Sequence, residues 1–146
     1  EPFLLVSTLN VIIAQRLVRK LGEQKKKKIL TEAELATLKK TVNLDKVLAV
    51  LHEEKIVEKN ADWSNISFYE PAPDKEGDDG YHGRLGIHEV LKVSSTIKEL
   101  VMRGATTAEI DDQAQKEGML TMIEDGIFKA VQGLTTIEEV LRVISE

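Results

Sequence analysis

The chain has 146 residues, a formal net charge of −5 and no cysteine. This length fits one domain that buries roughly 70% of the surface of the unfolded chain. The lack of cysteine excludes disulfides and thiolate metal sites, and the negative charge disfavours nucleic acid as a partner. The apolar stretch 3–14 is too short for a transmembrane helix and follows no basic segment, so we expect neither a membrane span nor a signal peptide. Because the first residue is Glu, we interpret the chain as an excised fragment.

The N-terminal segment is predicted to be one buried helix. Pro2 suits the first helical position, where its missing N–H costs nothing. Apolar residues then recur at helical spacing and fill most other faces, which is typical of a buried helix: Leu5, Leu9, Ile12, Ile13. Arg16 and the cations beside it would complement the carboxyl end of this helix. The alternative is that Arg16 faces a subunit or nucleotide site.

The central segment, residues 22–79, is predicted to hold two short helices and a small core. Thr31 to Glu34 forms a capping box that opens the first helix. Asn43 or Asp45 caps the second, which ends near Glu54, and the two would form a helical hairpin. Three apolar residues are expected to complete a satellite core, the last two alternating as in a strand: Trp63, Ile66, Phe68. The lysine run 25–28 is predicted to be a solvated loop, with binding to acidic lipid or a partner as the alternative.

Residues 80–91 read Gly-Tyr-His-Gly-Arg-Leu-Gly-Ile-His-Glu-Val-Leu. Three glycines in seven residues predict a tight turn, and the period-two apolar pattern from Leu85 predicts a strand. We expect Gly83 or Gly86 to adopt a positive φ or to lie against another backbone. Val at Gly86 should therefore cost more stability than Val at Gly77, in the polar loop.

Two further features of this stretch concern polar side chains. Glu89 falls on the apolar face of the strand, so we expect either a bulge or an ion pair, for example with Arg84; a catalytic carboxylate is the weaker alternative. His82 and His88 could pair on a metal, but no third ligand is evident in the sequence.

The remainder is predicted to be four short helices. Each has a possible capping box, at Thr96…Glu99, Thr106…Glu109, Thr121…Glu124 and Thr135…Glu138. Gly104, Gly118 and Gly133 stand where left-handed C-caps would end the first three. The predicted fold class is α+β and mostly helical: a buried N-terminal helix, a small helical and strand insertion, one strand led by the glycine turn, and a C-terminal bundle of four short helices.

Two separated stretches resemble one known family. The N-terminal part contains Phe-Leu-Leu and then Ala-Gln-Arg-Leu-Val-Arg-Lys-Leu, and residues 80–87 give Gly-Tyr-x-Gly-Arg-x-Gly-Ile. Both, in this order, resemble the C-terminal part of the type II secretion and type IV pilus assembly ATPases, as do residues 116–119 and 133–141. The resemblance covers residues 1–21 and 80–146, about 60% of the chain, and lapses between them.

The resemblance implies three parts. Residues 1–21 would be the C-terminal edge of the RecA-like ATPase core, residues 22–79 an inserted subdomain in place of the family's four-cysteine zinc module, and residues 80–146 the glycine turn, strand and C-terminal helical subdomain. The two places for Cys-x-x-Cys pairs read Gly22–Lys28 and Pro71–Gly77. Neither offers a soft ligand and the lysines repel a dication, so we expect no zinc site.

The resemblance also implies a bacterial motor. Members of the family form hexameric rings in the cytoplasm, peripheral to the inner membrane, and use ATP and Mg to extend a pilus or pseudopilus. Their partners would be neighbouring subunits and the inner-membrane platform protein. This chain contains no Gly-x-x-x-x-Gly-Lys-[Ser/Thr], so we expect it to carry no catalytic residue and no cofactor of its own, and to be inactive alone.

The chain would then serve subunit contacts and force transmission. The candidate nucleotide-side or subunit-interface residues are Arg16, Arg84 and Glu89. The structural turn comprises Gly80, Tyr81, Gly83 and Gly86. The alternative function is a stand-alone helical interaction or adaptor domain related to the ATPase tail, and a P-loop encoded upstream distinguishes the two.

Overall fold

A computed structural model describes residues 1–146 as an α+β fold with seven helices and two antiparallel, two-stranded sheets. The helices are α1 (Pro2–Thr8), α2 (Glu32–Lys39), α3 (Leu44–Glu53), α4 (Ser95–Met102), α5 (Thr107–Lys116), α6 (Met122–Val131) and α7 (Ile137–Ser145). The strands are β1 (Val11–Leu21), β2 (Lys25–Ile29), β3 (Ser67–Pro71) and β4 (Tyr81–Lys92). The predicted α+β class is confirmed. No helix combines the length and the apolar character needed to cross a membrane.

The longer sheet is a ribbon formed by β1 and β4. The two strands pair in antiparallel fashion from Val11 opposite Lys92 to Leu21 opposite Tyr81, with a register shift just after Arg19. The strand predicted after the glycine turn is confirmed, and it already begins within the turn. Side chains alternate across a strand, and the face that carries Val18 and Ile87 packs on α7, but residues 11–17 of β1 are exposed on both faces.

The predicted buried N-terminal helix is largely wrong. α1 ends at Thr8, and residues 11–21 are a strand. The β-branched residues at positions 11–13 favour extended backbone, and pairing with β4 stabilises it. Nor is α1 buried, because Val6 is its one buried residue. Three of its large apolar side chains are more than half exposed: Phe3, Leu4, Leu5.

The prediction of a solvated loop for the lysine run 25–28 is also wrong. It forms β2, which pairs with β3 from Lys25 opposite Pro71 to Ile29 opposite Ser67. Lysine has a low intrinsic preference for strands, but its long stem packs along apolar surface while the ammonium group reaches a partner. Lys28, for example, pairs with carboxylates of Glu34 and Glu70 at 3.2 and 3.4 Å.

The two predicted helices of the central segment are confirmed as α2 and α3, with Thr31 and Asn43 as their N-caps. They do not form the expected helical hairpin, since α3 packs mainly on α6. The predicted satellite core is instead part of the main core, a cluster of 12 buried residues that joins α3 and β3 to α6. A smaller cluster joins the ribbon to α7: Val18, Ile87, Val140, Val143.

All four predicted C-terminal helices are present, but they pack mainly as two pairs, α4 with α5 and α6 with α7, and not as one bundle. The capping boxes at Thr106 and Thr121 are confirmed. The other two assignments are wrong by one or two residues, because Ser94 caps α4 and Thr136 caps α7. Positive φ angles follow α4, α5 and α6, as predicted: Gly104, Gly118, Gly133.

Candidate functional site where the ribbon meets the last helix

The carboxylate of Glu139, in the first turn of α7, is the most heavily bonded polar group of the protein. The residue is 1% exposed. Its Oε1 accepts hydrogen bonds from the backbone N–H and Nε of Arg19 at 2.9 and 3.1 Å, and Oε2 accepts one from NH2 of Arg19 at 3.0 Å. Arg142 donates two more, from Nε at 3.1 Å and NH2 at 2.6 Å. One buried carboxylate thus joins β1 to α7.

The electrostatics of this group suit a structural role. Burial raises the pKa of Glu139, but hydrogen bonds from Arg142 and Arg19 outweigh it and lower the pKa to about 2. The same bonds raise the pKa of both guanidinium groups. A carboxylate with so low a pKa stays charged near neutral pH and is a poor general acid or base there.

Arg19 also connects Glu139 to the glycine turn. Its guanidinium carbon lies 4.2 Å from the centroid of the Tyr81 ring, and NH1 donates to Asp79 at 3.3 Å. The Tyr81 hydroxyl lies 3.0 Å from Oγ1 of Thr136, the N-cap of α7. Tyr81, predicted from the sequence as a turn residue, therefore holds the turn against the start of α7.

The glycines of the turn act in two different ways. Gly80 and Gly83 have φ angles of 83° and 80°, which confirms the expectation of a left-handed turn residue. Gly86, further along β4, has no positive φ. A Cβ at Gly86 would lie 3.0 Å from side-chain atoms of both Gln15 and His88, so this position is limited by space.

Arg16 points along the ribbon towards α7. Its NH1 donates to the carbonyl of Val143 at 2.6 Å, close to the carboxyl end of that helix. The predicted complementarity between Arg16 and a helix C-terminus thus occurs, but with α7 and not with a helix of its own. A contact between Arg16 and a nucleotide or a neighbouring subunit stays a prediction.

Arg84 and Glu89 do not pair, so the expected ion pair is wrong. Arg84 is exposed and forms no ion pair within the chain. Glu89 lies in regular register opposite Ala14, without a bulge, and its Oε1 accepts the N–H of Met122 at 3.0 Å. That N–H belongs to the first residue of α6, where no carbonyl of the helix can satisfy it. Glu89 is therefore a capping ligand for α6, and Arg84 remains available to a partner.

Two side chains of α6 close the outer edge of β4. Oδ2 of Asp125 accepts the N–H of His88 at 2.7 Å, and Nζ of Lys129 donates to the carbonyl of Gly86 at 2.7 Å. Lys129 and Asp125 form an ion pair at 2.8 Å. Because unpaired strand edges can recruit other strands, these contacts protect this edge. Neither residue was predicted from the sequence, although their i, i+4 spacing is a signal for an ion pair.

The two histidines do not form the metal pair weighed above. His88 lies between Lys129 Nζ, 3.1 Å from Nδ1, and Gln15 Oε1, 2.8 Å from Nε2. His82 lies elsewhere, with Nε2 3.5 Å from Asp78. No histidine is hydrogen-bonded to a serine or threonine hydroxyl, so the site lacks a nucleophile–base arrangement.

Residues 22–28 and 71–77, where the resemblance would place the Cys-x-x-Cys pairs, lie side by side. The N–H of Gly22 donates to Gly80 at 2.8 Å, and the two segments line a polar cleft of about 440 Å³. No three His, Asp or Glu side chains of the protein are placed to hold a metal ion together. A side chain at Gly22 would overlap the ring of His82. These residues do not fit the four soft or imidazole ligands of a tetrahedral zinc site.

The chain thus combines one long two-stranded ribbon, partly covered by helices, with a buried ion-pair cluster at the start of α7. A family model described as "Type II/IV secretion system protein" matches residues 1–142. The match runs through residues 22–79, so the expectation that the likeness lapses there is wrong. The chain belongs to this family of secretion and pilus assembly proteins.

Curated relatives agree with this assignment. The chain is 40% identical over 148 residues to type II secretion system protein E of Xanthomonas campestris pv. campestris, covering 100% of this chain and 23% of that protein. It is 35% identical to the type IV pilus assembly ATPase PilB of Myxococcus xanthus, over 97% of this chain and 22% of that protein. PilB of Pseudomonas aeruginosa is 34% identical over 99% of this chain and 22% of its own length. The chain thus spans less than a quarter of these relatives.

Proposed function

We propose that this chain is the C-terminal part of a hexameric motor ATPase that powers type IV pilus assembly or type II secretion. In this role it supplies subunit contacts and carries motion, while ATP and Mg bind to a preceding RecA-like core. The proposal rests on the family assignment and on one structural observation, the open edge and exposed face of β1.

The edge of β1 that faces away from β4 is open, as the direction of its backbone N–H groups indicates. The N–H groups of Arg19 and Leu21 point away from β4, and they bond to Glu139 and to the carbonyl of Leu134. In an antiparallel pair, alternate residues point the same way. The backbone groups of Val11, Ile13 and Leu17 therefore face outward too, and within this chain they have no partner.

The exposed face lies beside this edge. Ile13 is 62% exposed, and its cross-strand neighbour Val90 is 47% exposed. The N-terminal helix α1 also has exposed apolar side chains, among them Phe3 and Leu4. A long apolar strand with a bare edge invites pairing, so these features support residues 1–21 as the edge of a larger sheet that a core domain completes.

The attachment of the ribbon supports the proposed role in force transmission. Glu139 and Arg16 bind β1 to the two ends of α7, and Lys129 binds β4 to α6. A displacement of β1 by the core would therefore move α6 and α7 with it. Arg84 is exposed on the ribbon and is the candidate for contact with a neighbouring subunit. On the cytoplasmic side, the candidate partner of the whole assembly is the inner-membrane platform protein.

The test uses the polypeptide encoded by the complete gene. We expect a P-loop upstream of Glu1, and we expect Ile13→Asn to reduce its ATP turnover and hexamer fraction, measured by phosphate release and light scattering. Ile56→Asn is the matched control, because Ile56 is 39% exposed on a loop away from the ribbon. A gene without a P-loop would favour the adaptor alternative. Equal behaviour of the two variants would contradict the role given to β1.

A further inference from the structure

We infer that residues 22–79 form a metal-independent subdomain that shares its hydrophobic core with α6, and that Lys25 and Lys46 anchor it to the two ends of that helix. This property goes beyond the proposed function. It concerns how the part of the chain that does not fit zinc is held in place.

The shared core is the first observation that supports this inference. Val47 and Leu51 of α3 and Ile127 of α6 are 0% exposed and belong to the same 12-residue cluster. Trp63 and Phe68 stack in that cluster with ring centroids 6.0 Å apart, and the Trp63 indole N–H donates to the carbonyl of Leu44 at 3.2 Å. Modules ordered by zinc generally lack a core of this kind and gain their folding energy from the metal. Here apolar burial against α6 supplies it.

The first anchor lies at the amino end of α6. Nζ of Lys46 lies 2.6 Å from Oε1 of Glu124 and donates to the carbonyl of Met119 at 3.0 Å. The N–H of Asn43 donates to Oε2 of the same carboxylate at 3.0 Å. Glu124 is 2% exposed and also caps α6 through the N–H of Thr121. Burial raises its pKa, but hydrogen bonds from Lys46, Thr121 and Asn43 outweigh it, and the pKa is lowered.

The second anchor lies just beyond the carboxyl end of α6. Nζ of Lys25 donates to the carbonyl of Gly133 at 2.9 Å and lies 5.4 Å from the centroid of the Tyr69 ring. A cation at this end of a helix is favoured by the helix dipole, and the aromatic face adds a cation–π attraction. The lysine run, which looked like a solvated loop, therefore supplies a residue that binds β2 to α6.

The first experiment tests independence from metal. The chain is dialysed, its zinc content is measured by elemental analysis, and its thermal unfolding is followed by circular dichroism with and without excess EDTA. We expect far less than one zinc per chain and a midpoint that EDTA leaves unchanged to within about 2 °C. Removing a tightly bound metal lowers the midpoint of such a domain by several degrees. A larger fall on chelation, or about one zinc per chain, overturns the inference.

The second experiment tests the anchors and the shared core. Hydrogen exchange is compared for Lys46→Met, Lys25→Met and the control Lys26→Met, whose side chain is exposed on the same strand. We expect Lys46→Met to raise exchange about tenfold or more in both α3 and α6, since it leaves Glu124 without its cation. Lys25→Met should raise exchange in the same way but more weakly. It replaces Lys46→Met as the test if that variant does not fold. Faster exchange confined to residues 22–79, or equal effects of all three variants, contradicts the shared core.

Discussion

Glu139 and Arg19, 120 positions apart, are joined by three hydrogen bonds, one from the backbone N–H of Arg19 and two from its guanidinium group. The contact closes the chain on itself, because it holds the first long strand against the last helix. Arg142 binds the same carboxylate from one turn further along α7. This buried charge therefore joins the ribbon to α7, together with the apolar cluster around Val18 and Val140 and the bond from Arg16 to Val143.

Replacing that charge should destabilise the protein strongly. We expect Glu139→Gln to lower the free energy of unfolding by about 2–4 kcal/mol, because Arg19 and Arg142 lose the buried carboxylate that they share and keep only the exposed carboxylates of Asp79 and Glu146. Urea unfolding followed by circular dichroism measures it. The control Glu138→Gln, at an exposed neighbouring position, should stay within about 0.5 kcal/mol of the unmodified chain. Similar losses in both variants would show that the contact contributes little.

The same carboxylate predicts a pH dependence. Its pKa in the folded chain is about 2, below the ordinary 4.5, so its contribution is fully present above pH 4.5 and is lost as the pH falls towards 2. At about 1.4 kcal/mol per pKa unit, the contribution is on the order of 3 kcal/mol. The difference in unfolding free energy between the unmodified chain and Glu139→Gln should therefore shrink between pH 5 and pH 2. A difference that stays constant over this range would refute the assignment.

The structure changes the prediction made for valine substitutions at Gly86 and Gly77. Gly86→Val should cost about 1–3 kcal/mol, since its side chain would crowd Gln15 and His88. The sequence suggested Gly77 as a nearly neutral position, but its φ is 86°, so Gly77→Val should also cost about 1–2 kcal/mol. Glu76→Val, at an exposed position of the same loop, is the better control. Denaturant melts of the three variants decide whether strain and crowding act as described.

A single substitution on α6 should remove the protection of the edge of β4. Lys129→Met leaves the Gly86 carbonyl and the Asp125 carboxylate without their cation, and it should cost about 1–3 kcal/mol. Lys116→Met, on an exposed position of α5, is the control and should be nearly neutral. Urea melts compare the two. If both variants melt alike, the edge is held by other contacts.

The parts of the fold that the sequence predicted well are those with local signals. The caps at Asn43 and Thr121 lie next to the helices they open, and the period-two pattern after Leu85 lies within β4 itself. β1 was missed because its apolar residues fit a helix as well as a strand, and its partner β4 lies about 70 positions later in the chain. β2 was missed for the same reason, since only pairing with β3 makes four lysines extended.

The candidate site was predicted only in outline. The positive φ of Gly83 was expected from the glycine pattern, but the contacts of Tyr81 and Arg16 with α7 could not be inferred from spacing. Glu139 was overlooked because a glutamate in the first turn of a helix is an ordinary capping residue. Its burial depends on two arginines, one of them from the opposite end of the chain. The nonlocal ion pairs are what sequence patterns alone did not reveal.

The central claim is that this chain is a non-catalytic part of a motor ATPase. ATP turnover with Mg, measured by phosphate release for this chain and for the polypeptide of the complete gene, tests it most directly. We expect no turnover by the chain, which has no P-loop, and clear turnover by the complete polypeptide. Turnover by the chain alone, or none by the complete polypeptide under conditions in which it assembles, would contradict this role.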